Sequence, residues 1–336
     1  MALVEGTGLN LIDIARMSGP DGKVLKVAEL LSQTNKILED IPMVECNNGM
    51  LNLAGVRTGI PAGTWRRLYG GVNSEKGKIE QVQDGCGMLE SYSQPDKAII
   101  DMAPNKGDAL MKESRAFIDG LGKTMAKTLF YGDTGTEPEK FNGLSCRYNT
   151  YGTDEDLSSY NVLNAGGSGS DNTSIWVIGW GDTRVHGLYP RGSKAGLSVN
   201  DMGEVTVTKS DGTMYQAYRT HYKWDAGLAV LDWRYCVRIA NIDVSALASA
   251  GETAYAGANI INLLTDACYR LPDDASNVNI YCNRVISAAL TKLASNKSNL
   301  ALNIGEYAGM PIVKFWQYPI KRCDGIMTTE SAVAAA

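Results

Sequence analysis

Histidine is nearly absent from this chain. Its 336 residues include only His186 and His221, and histidine is the side chain whose ordinary pKa suits proton transfer near neutral pH. The two sit in Asp182-Thr183-Arg184-Val185-His186-Gly187 and Arg219-Thr220-His221-Tyr222, and no G-x-S-x-G elbow occurs anywhere. A Ser-His-Asp or Cys-His site needs nucleophile, base and orienting acid within hydrogen-bond reach. The sequence offers no such set, so no catalytic residue is expected.

Metal and phosphate motifs are missing too. The seven cysteines (Cys46, Cys86, Cys146, Cys236, Cys268, Cys282 and Cys323) contain no C-x-x-C pair. Two distant histidines and scattered thiols give no zinc spacing. Asp154-Glu155-Asp156 and Asp273-Asp274 lack the alternating ligands of a calcium loop and read as solvated turns. Gly166-Gly167-Ser168-Gly169 has no Gly-Lys-Ser/Thr after it and no helix behind it, so it reads as a connector rather than a phosphate cradle. No cofactor and no metal are expected. An odd number of scattered thiols in a long chain reads as free buried thiols kept in a reducing cytoplasm.

Three further absences narrow the class. Residues 1–22 have no basic start followed by an apolar run, so no secretion signal is expected there. No stretch approaches the ~20 apolar residues of a membrane helix, so no membrane role is expected. Cations are not in excess: 32 Lys and Arg stand against 37 Asp and Glu, for a net charge of −5. A dedicated nucleic-acid binder needs cationic surface to displace counterions from phosphate. A container whose inner wall does not hold its DNA has no such need.

What remains is an ordinary folded composition, 44% hydrophobic and 21% charged, with 36 glycines marking many turns. The length predicts two or three lobes, and the patterning predicts an α+β protein. An amphipathic helix over Val24, Val27, Leu31 and Leu38 ends before Pro42 and forms an arm. Residues 44–103 are β-like and poorly buried: Met50-Leu51-Asn52-Leu53, Val56 to Pro61, Thr64 to Tyr69 and Ile79 to Gln83 make a long two-stranded excursion. An isolated hairpin is marginal in water, so a protein that carries one lays it on a neighbour. Leu110, Phe117, Leu121, Met125 and Leu129 recur at helical spacing and predict one helix over 106–131, with a bend or close crossing at Gly120 and Gly122.

The second half is predicted as a β-rich block and two helices. Strands are expected at Ile175 to Trp180, at Leu228 to Val230 and at Tyr235 to Ile239. Glu204 to Lys209 and Thr213 to Tyr218 read as a hairpin around Ser210-Asp211-Gly212. Ile260, Leu264, Ala267, Cys268 and Leu271 line one helix. Cys282, Ile286, Ala289, Leu290 and Leu293 line the other. A strand from Pro311 to Trp316 and the segment Ile326 to Val333 close the chain, with Ala334 to Ala336 expected to fray.

The order of these parts resembles the Hong-Kong-97-like capsid fold of tailed phages. Local wording sharpens the likeness. Val56-Arg57-Thr58-Gly59-Ile60-Pro61 with Thr64-Trp65-Arg66-Arg67 is similar to the extended-loop segment of major capsid proteins from short-tailed, double-stranded-DNA phages of the epsilon-fifteen type. So are Cys86-Gly87-Met88-Leu89-Glu90, Thr128-Leu129-Phe130-Tyr131-Gly132, Gly169 to Trp176, Tyr189 to Leu197, and Asp232-Trp233-Arg234-Tyr235 with Val237 to Asp243. The matches run to residue 243 and loosen beyond it.

The resemblance implies an N-terminal arm at 1–45, an extended loop at 46–103, and a peripheral domain at 104–240 with its spine helix at 106–131. It implies an axial domain at 241–320 and a closing strand and tail at 321–336. It also implies a structural role: homo-hexamers and homo-pentamers forming an icosahedral shell in the virion around double-stranded DNA, without sequence-specific binding. The subunits would assemble in the host bacterial cytoplasm, with a cementing or decoration protein, a portal and a scaffold as partners. Arg57, Trp65, Arg66, Arg67, Lys76 and Lys78 are the expected inter-subunit contacts. Arg57, Arg66 and Arg67 would meet carboxylates such as Asp108, Glu113 or Asp119 of the adjacent spine helix. Lys76 and Lys78 read as solvated lysines, with an isopeptide cross-link as the other chemistry open to them.

Other readings stand beside this one. Trp176, Trp180, Tyr215, Tyr218, Tyr222, Trp224, Trp233 and Tyr235 crowd one region. They form either a β core or interface, or the aromatic platform of a β-rich glycan-binding module from a phage tail or adhesin. A hydrolase would have to use His186 or His221. An encapsulin-like shell would share the fold and enclose an enzyme.

Overall fold

The computed structural model describes residues 35–59, 61–103, 105–209, 211–249, 259–295, 302–307 and 310–336. The expected arm helix around Val24, Val27 and Leu31 lies outside them. The element the periodicity marks most strongly is present in full. Asn105 accepts a hydrogen bond from the Gly107 N–H and starts a helix, Lys106–Tyr131, that runs unbroken for 26 residues, about 39 Å at 1.5 Å per residue. Its second half is buried through Leu121, Met125, Leu129 and Phe130. Its first half is half-open, with Phe117 stacked on Tyr222 and Met111 facing solvent. Gly122 is where Leu38 crosses close: a Cβ there would touch the Leu38 side chain at 4.0 Å.

The helix stops at Gly132, and a turn brings Gly143 back against it. A Cβ on Gly143 would lie 2.7 Å from the Thr128 carbonyl oxygen and 2.9 Å from the Leu129 carbonyl oxygen. Neither backbone atom can swing away. Gly143→Ala is therefore expected to destabilise the subunit by about 1–3 kcal/mol, read as a fall in urea midpoint at unchanged slope.

Fifteen strands follow one another along the described chain: β1 (Met43–Glu45), β2 (Leu51–Gly59), β3 (Lys78–Ser93), β4 (Thr150–Tyr151), β5 (Val162–Asn164), β6 (Asn172–Gly179), β7 (Val185–Tyr189), β8 (Ser198–Thr208), β9 (Met214–Val230), β10 (Cys236–Asp243), β11 (Val278–Cys282), β12 (Leu302–Tyr307), β13 (Met310–Phe315), β14 (Tyr318–Arg322) and β15 (Ala334–Ala335). One sheet has the order β1-β7-β9-β3-β2 with β8 also on β9; a second has the order β12-β13-β14-β11-β6-β10-β5. β6, β10 and β11 are almost continuously buried, as strands covered on both faces must be.

Side-chain alternation splits the core in two. Ile175, Val177, Val237, Ile239 and Ile280 face the helices Ile260–Arg270 and Arg284–Ser295. Trp176, Ile178, Cys236 and Tyr281 face the other way, toward Met125, Leu129 and Phe130 of the long helix and Leu228 of β9. Each fully buried large aliphatic side chain stabilises by about 1.5–3 kcal/mol relative to exposure.

Several details differ from the sequence expectations. Thr64 to Tyr69 is not a strand: β2 and β3 stop pairing at Gly59 and Lys78, which leaves it no partner. Residues 97–102 are helical, started by the Asp96 side chain accepting from the Ala98 N–H. Cys282 ends a strand; the helix begins at Arg284, with the Asn283 side chain accepting from the Ile286 N–H at 2.9 Å. Ala334 and Ala335 pair with Thr150 and Tyr151 rather than fraying, because backbone pairing needs no large side chain.

The C-terminal segment is held by a buried ion pair. Arg238 on β10 and Glu330 are 5% and 4% exposed, and Nη2 lies 2.8 Å from Oε2. The other polar atoms of the pair have partners too. Glu330 also accepts from Ser174 Oγ at 2.5 Å and from the Tyr131 hydroxyl. Arg238 donates to the Tyr148 carbonyl at 2.8 Å and to Ser174 Oγ at 3.1 Å, with its guanidinium 5.0 Å from the Trp176 ring centroid. The Tyr131 hydroxyl in turn accepts from the Met327 N–H at 3.0 Å. The long helix, both central strands and the tail thus meet at one carboxylate.

Candidate subunit interface

β3 is one strand with two lives. Its residues from Cys86 to Ser93 pair with β9 inside the first sheet. Its residues from Lys78 to Gly85 pair only with β2. Beyond Gly85 the two strands leave the sheet as a ribbon whose outer residues, 61–69 and 71–80, are all exposed. Trp65, Leu68 and Tyr69 are 102%, 88% and 104% exposed, values that mean contact with almost nothing in their own subunit. Three large apolar side chains left open on one short segment are the kind of exposed apolar surface that interaction sites use.

The tip has a shape of its own. Tyr69 stands at φ +64°, a rare conformation for a bulky side chain. The Gly70 N–H donates to the Arg67 carbonyl at 3.1 Å, and the Gly63 N–H donates to Glu75 Oε2 at 3.2 Å. From Arg57 to Glu80 the ribbon carries five cations and two carboxylates, on a chain whose net charge is −5. The cationic end of an acidic protein is suited to the acidic surface of another copy.

All six expected contact residues lie on this ribbon and are exposed. Lys78 is ion-paired within its own strand to Glu80 at 2.6 Å. Asp108 and Asp119, two of the expected acceptors, are exposed on the open half of the long helix, where Asp108 accepts from the Asn105 side chain at 3.0 Å.

The residues that carried the other readings are placed elsewhere. Trp176, Trp180 and Tyr222 are core residues, and Tyr215 sits beside Lys209 on the β8–β9 hairpin. Trp176, Trp180 and Tyr222 are therefore taken up by packing and offer no face to a sugar. His221 stacks on Tyr92, with ring centroids 4.4 Å apart, and Nε2 lies 3.1 Å from Glu90 Oε2.

His186 is buried in β7, opposite Ala229. Burial holds its pKa below the ordinary 6.5, partly offset by Asp182 and Asp84 nearby. The unfolded chain therefore takes a proton before the folded one does as pH falls. The neutral ring's contribution is complete above about pH 6.5 and is lost below it. The melting temperature is expected to drop between pH 7 and 5, and His186→Leu is expected to shrink that drop. An unchanged pH slope in the variant would remove His186 from the account.

Two sheets on a long helix, a tail locked into the seam and a cationic ribbon standing free together define a shell-forming subunit with the Hong-Kong-97-like capsid fold. The model of the family described as major capsid protein GP7 matches residues 19–334, and the chain belongs to that family. It is a structural protein of a phage capsid and so of the virion. The solved structure of bacteriophage Epsilon15 is similar at 34% identity, with 99% of each chain covered and a TM-score of 0.77. The bacteriophage JBD30 capsid is similar at 11% identity over 90% of this chain and 96% of that one, with a TM-score of 0.49. An encapsulin from Synechococcus elongatus is similar at 12% identity over 70% and 96%, with a TM-score of 0.41. No curated protein sequence matches the chain.

Proposed function

We propose that this subunit builds hexamers and pentamers, that these close an icosahedral shell around double-stranded DNA, and that the β2–β3 ribbon is the extended loop that ties each subunit to the next. The observation that carries the reading is the ribbon itself: apolar at Trp65, Leu68 and Tyr69, cationic at Arg57, Arg66 and Arg67, and open on all sides. Its exposed groups gain little from their own subunit and much from a copy, where one contact repeats by symmetry. On this reading the domain limits are 1–45 for the arm, 46–103 for the extended loop, 104–240 for the peripheral domain, 241–320 for the axial domain and 321–336 for the tail. Assembly takes place in the host bacterial cytoplasm, with scaffold, portal and a cementing protein supplied by the phage. DNA is enclosed without sequence-specific contact.

The test is expression in bacteria, alone and with the phage's scaffold, followed by negative-stain microscopy and light scattering. Closed particles, or rings of five or six, are expected. Protein that stays strictly monomeric at high concentration under both conditions would refute the reading.

A further inference from the structure

We propose that Cys46 and Cys86 are a disulfide-forming site, a thiol pair that a small-molecule disulfide converts into a cross-link across the root of the ribbon. The two Sγ atoms lie 3.4 Å apart although 40 residues separate them in sequence. That is contact distance for two sulfurs, and a bond of about 2.05 Å needs only a small further approach.

The local fold brings them together. After β1, Gly49 at φ +62° and the paired hydrogen bonds between Asn48 and Leu51 reverse the chain. The Cys86 N–H then donates to the Met50 carbonyl at 2.9 Å, continuing the β2–β3 ladder into the body. Cys46 is fixed by its own N–H, which donates to the Tyr189 carbonyl at 2.9 Å. Leu188 and Ala229 pack against Cys46, and Cys86 lies against the same small cluster. Beneath Cys86, Gly227 has no side chain, and a Cβ there would stand 3.1 Å from the Cys86 sulfur. Cys146, by contrast, donates its thiol to the Gly143 carbonyl at 3.1 Å, and Cys323 donates its thiol to the Asn35 side chain at 3.3 Å.

Cys86 is half-buried and Cys46 is 2% exposed, which orders the chemistry. The Cys86 thiolate attacks one sulfur of the small disulfide, forms a mixed disulfide and expels one small thiolate. The Cys46 thiolate then attacks the Cys86 sulfur of that adduct and expels the second. Both protein protons end on the two released thiols, the protein pair is oxidised by two electrons, and the small disulfide is reduced by two. Burial pushes both thiols above their ordinary range, so the exchange is slow near neutral pH and accelerates as pH rises. Under reducing conditions the pair stays as two thiols. Under oxidising conditions the whole ribbon becomes one covalently closed loop, anchored where it leaves the sheet.

The probe is oxidised glutathione, applied to the intact folded protein at pH 8.5 with excess, and the readout is peptide mapping by mass spectrometry without reduction. The expected product is a Cys46–Cys86 linked peptide, two hydrogens lighter than its parts, in monomeric chains. A rise of about 5 °C in melting temperature, reversed by reductant, should accompany a loop closure of this length. Cys46→Ala should stop the reaction at a glutathione adduct on Cys86. The proposal is overturned if wild-type protein accumulates that same adduct without closing, if both thiols remain free to alkylating reagent, or if Cys86 pairs with a different cysteine. These readouts do not depend on assembly, so they stand or fall apart from the ribbon's role in the shell.

Discussion

Replacing Glu330 by alanine is expected to destabilise the subunit by about 3–5 kcal/mol, because it strips the partner from a cation that cannot reach water. Arg238 would keep its hydrogen bonds to the Tyr148 carbonyl and Ser174, but its charge would stay buried and unpaired. The Tyr131 and Ser174 hydroxyls would lose an acceptor as well. The effect should appear as a lowered urea midpoint and as faster tryptic cleavage after Lys321 and Arg322, the last basic residues before the tail. Glu330→Gln tests the charge alone: it keeps the shape and one acceptor oxygen. It should therefore fall between wild type and alanine. The double variant Arg238→Met with Glu330→Leu removes both charges, and it should lose less than Glu330→Ala does. A Glu330→Ala protein within 1 kcal/mol of wild type would show that the tail's anchorage lies elsewhere.

The second large effect concerns assembly rather than folding. Arg66→Glu with Arg67→Glu changes two side chains that are fully open to solvent, so subunit stability should move by no more than about 0.5 kcal/mol. Particle formation should nevertheless fail. Reversed charge at the ribbon tip turns attraction into repulsion at every copy of the contact, and like-charge juxtaposition costs several kcal/mol per interface. Circular dichroism and melting would be unchanged, while microscopy would find no closed shells. Restoring assembly with Asp108→Arg or Asp119→Arg would identify the partner surface. Ordinary yields of heat-resistant particles from the doubly reversed variant would remove these arginines from the interface.

The parts legible in the sequence are those whose signal is local and repeated. The helix Lys106–Tyr131 is framed by an asparagine cap and a glycine stop, and its apolar period holds for about five turns, from Leu110 to Leu129. The ribbon was legible as a pairless, polar hairpin. What escaped was set by partners distant in sequence. Cys282 fell into the apolar face of the following helix because a strand buried on both sides has no period of its own; Asn283, the cap between them, is the signal that separates the two. The six-residue helix Lys97–Met102 is too short for a period to show. Arg238 and Glu330 stand 92 residues apart, and nothing in either neighbourhood announces the other. The surface that the ribbon meets belongs to another molecule, so the chain carries only one half of its pattern.

The buried carboxylate also sets a schedule for synthesis. Tyr131 precedes Glu330 by 199 residues, and a ribosome adding roughly 5–20 residues per second takes roughly 10–40 s to cover that distance. Throughout that interval Arg238, once made, has no counter-ion, and the seam between long helix and strands cannot dry. A nascent chain is thereby held short of its final packing until its last stretch emerges. Fragments released before Glu330 would lack the counter-ion of Arg238 and would leave the seam open to water.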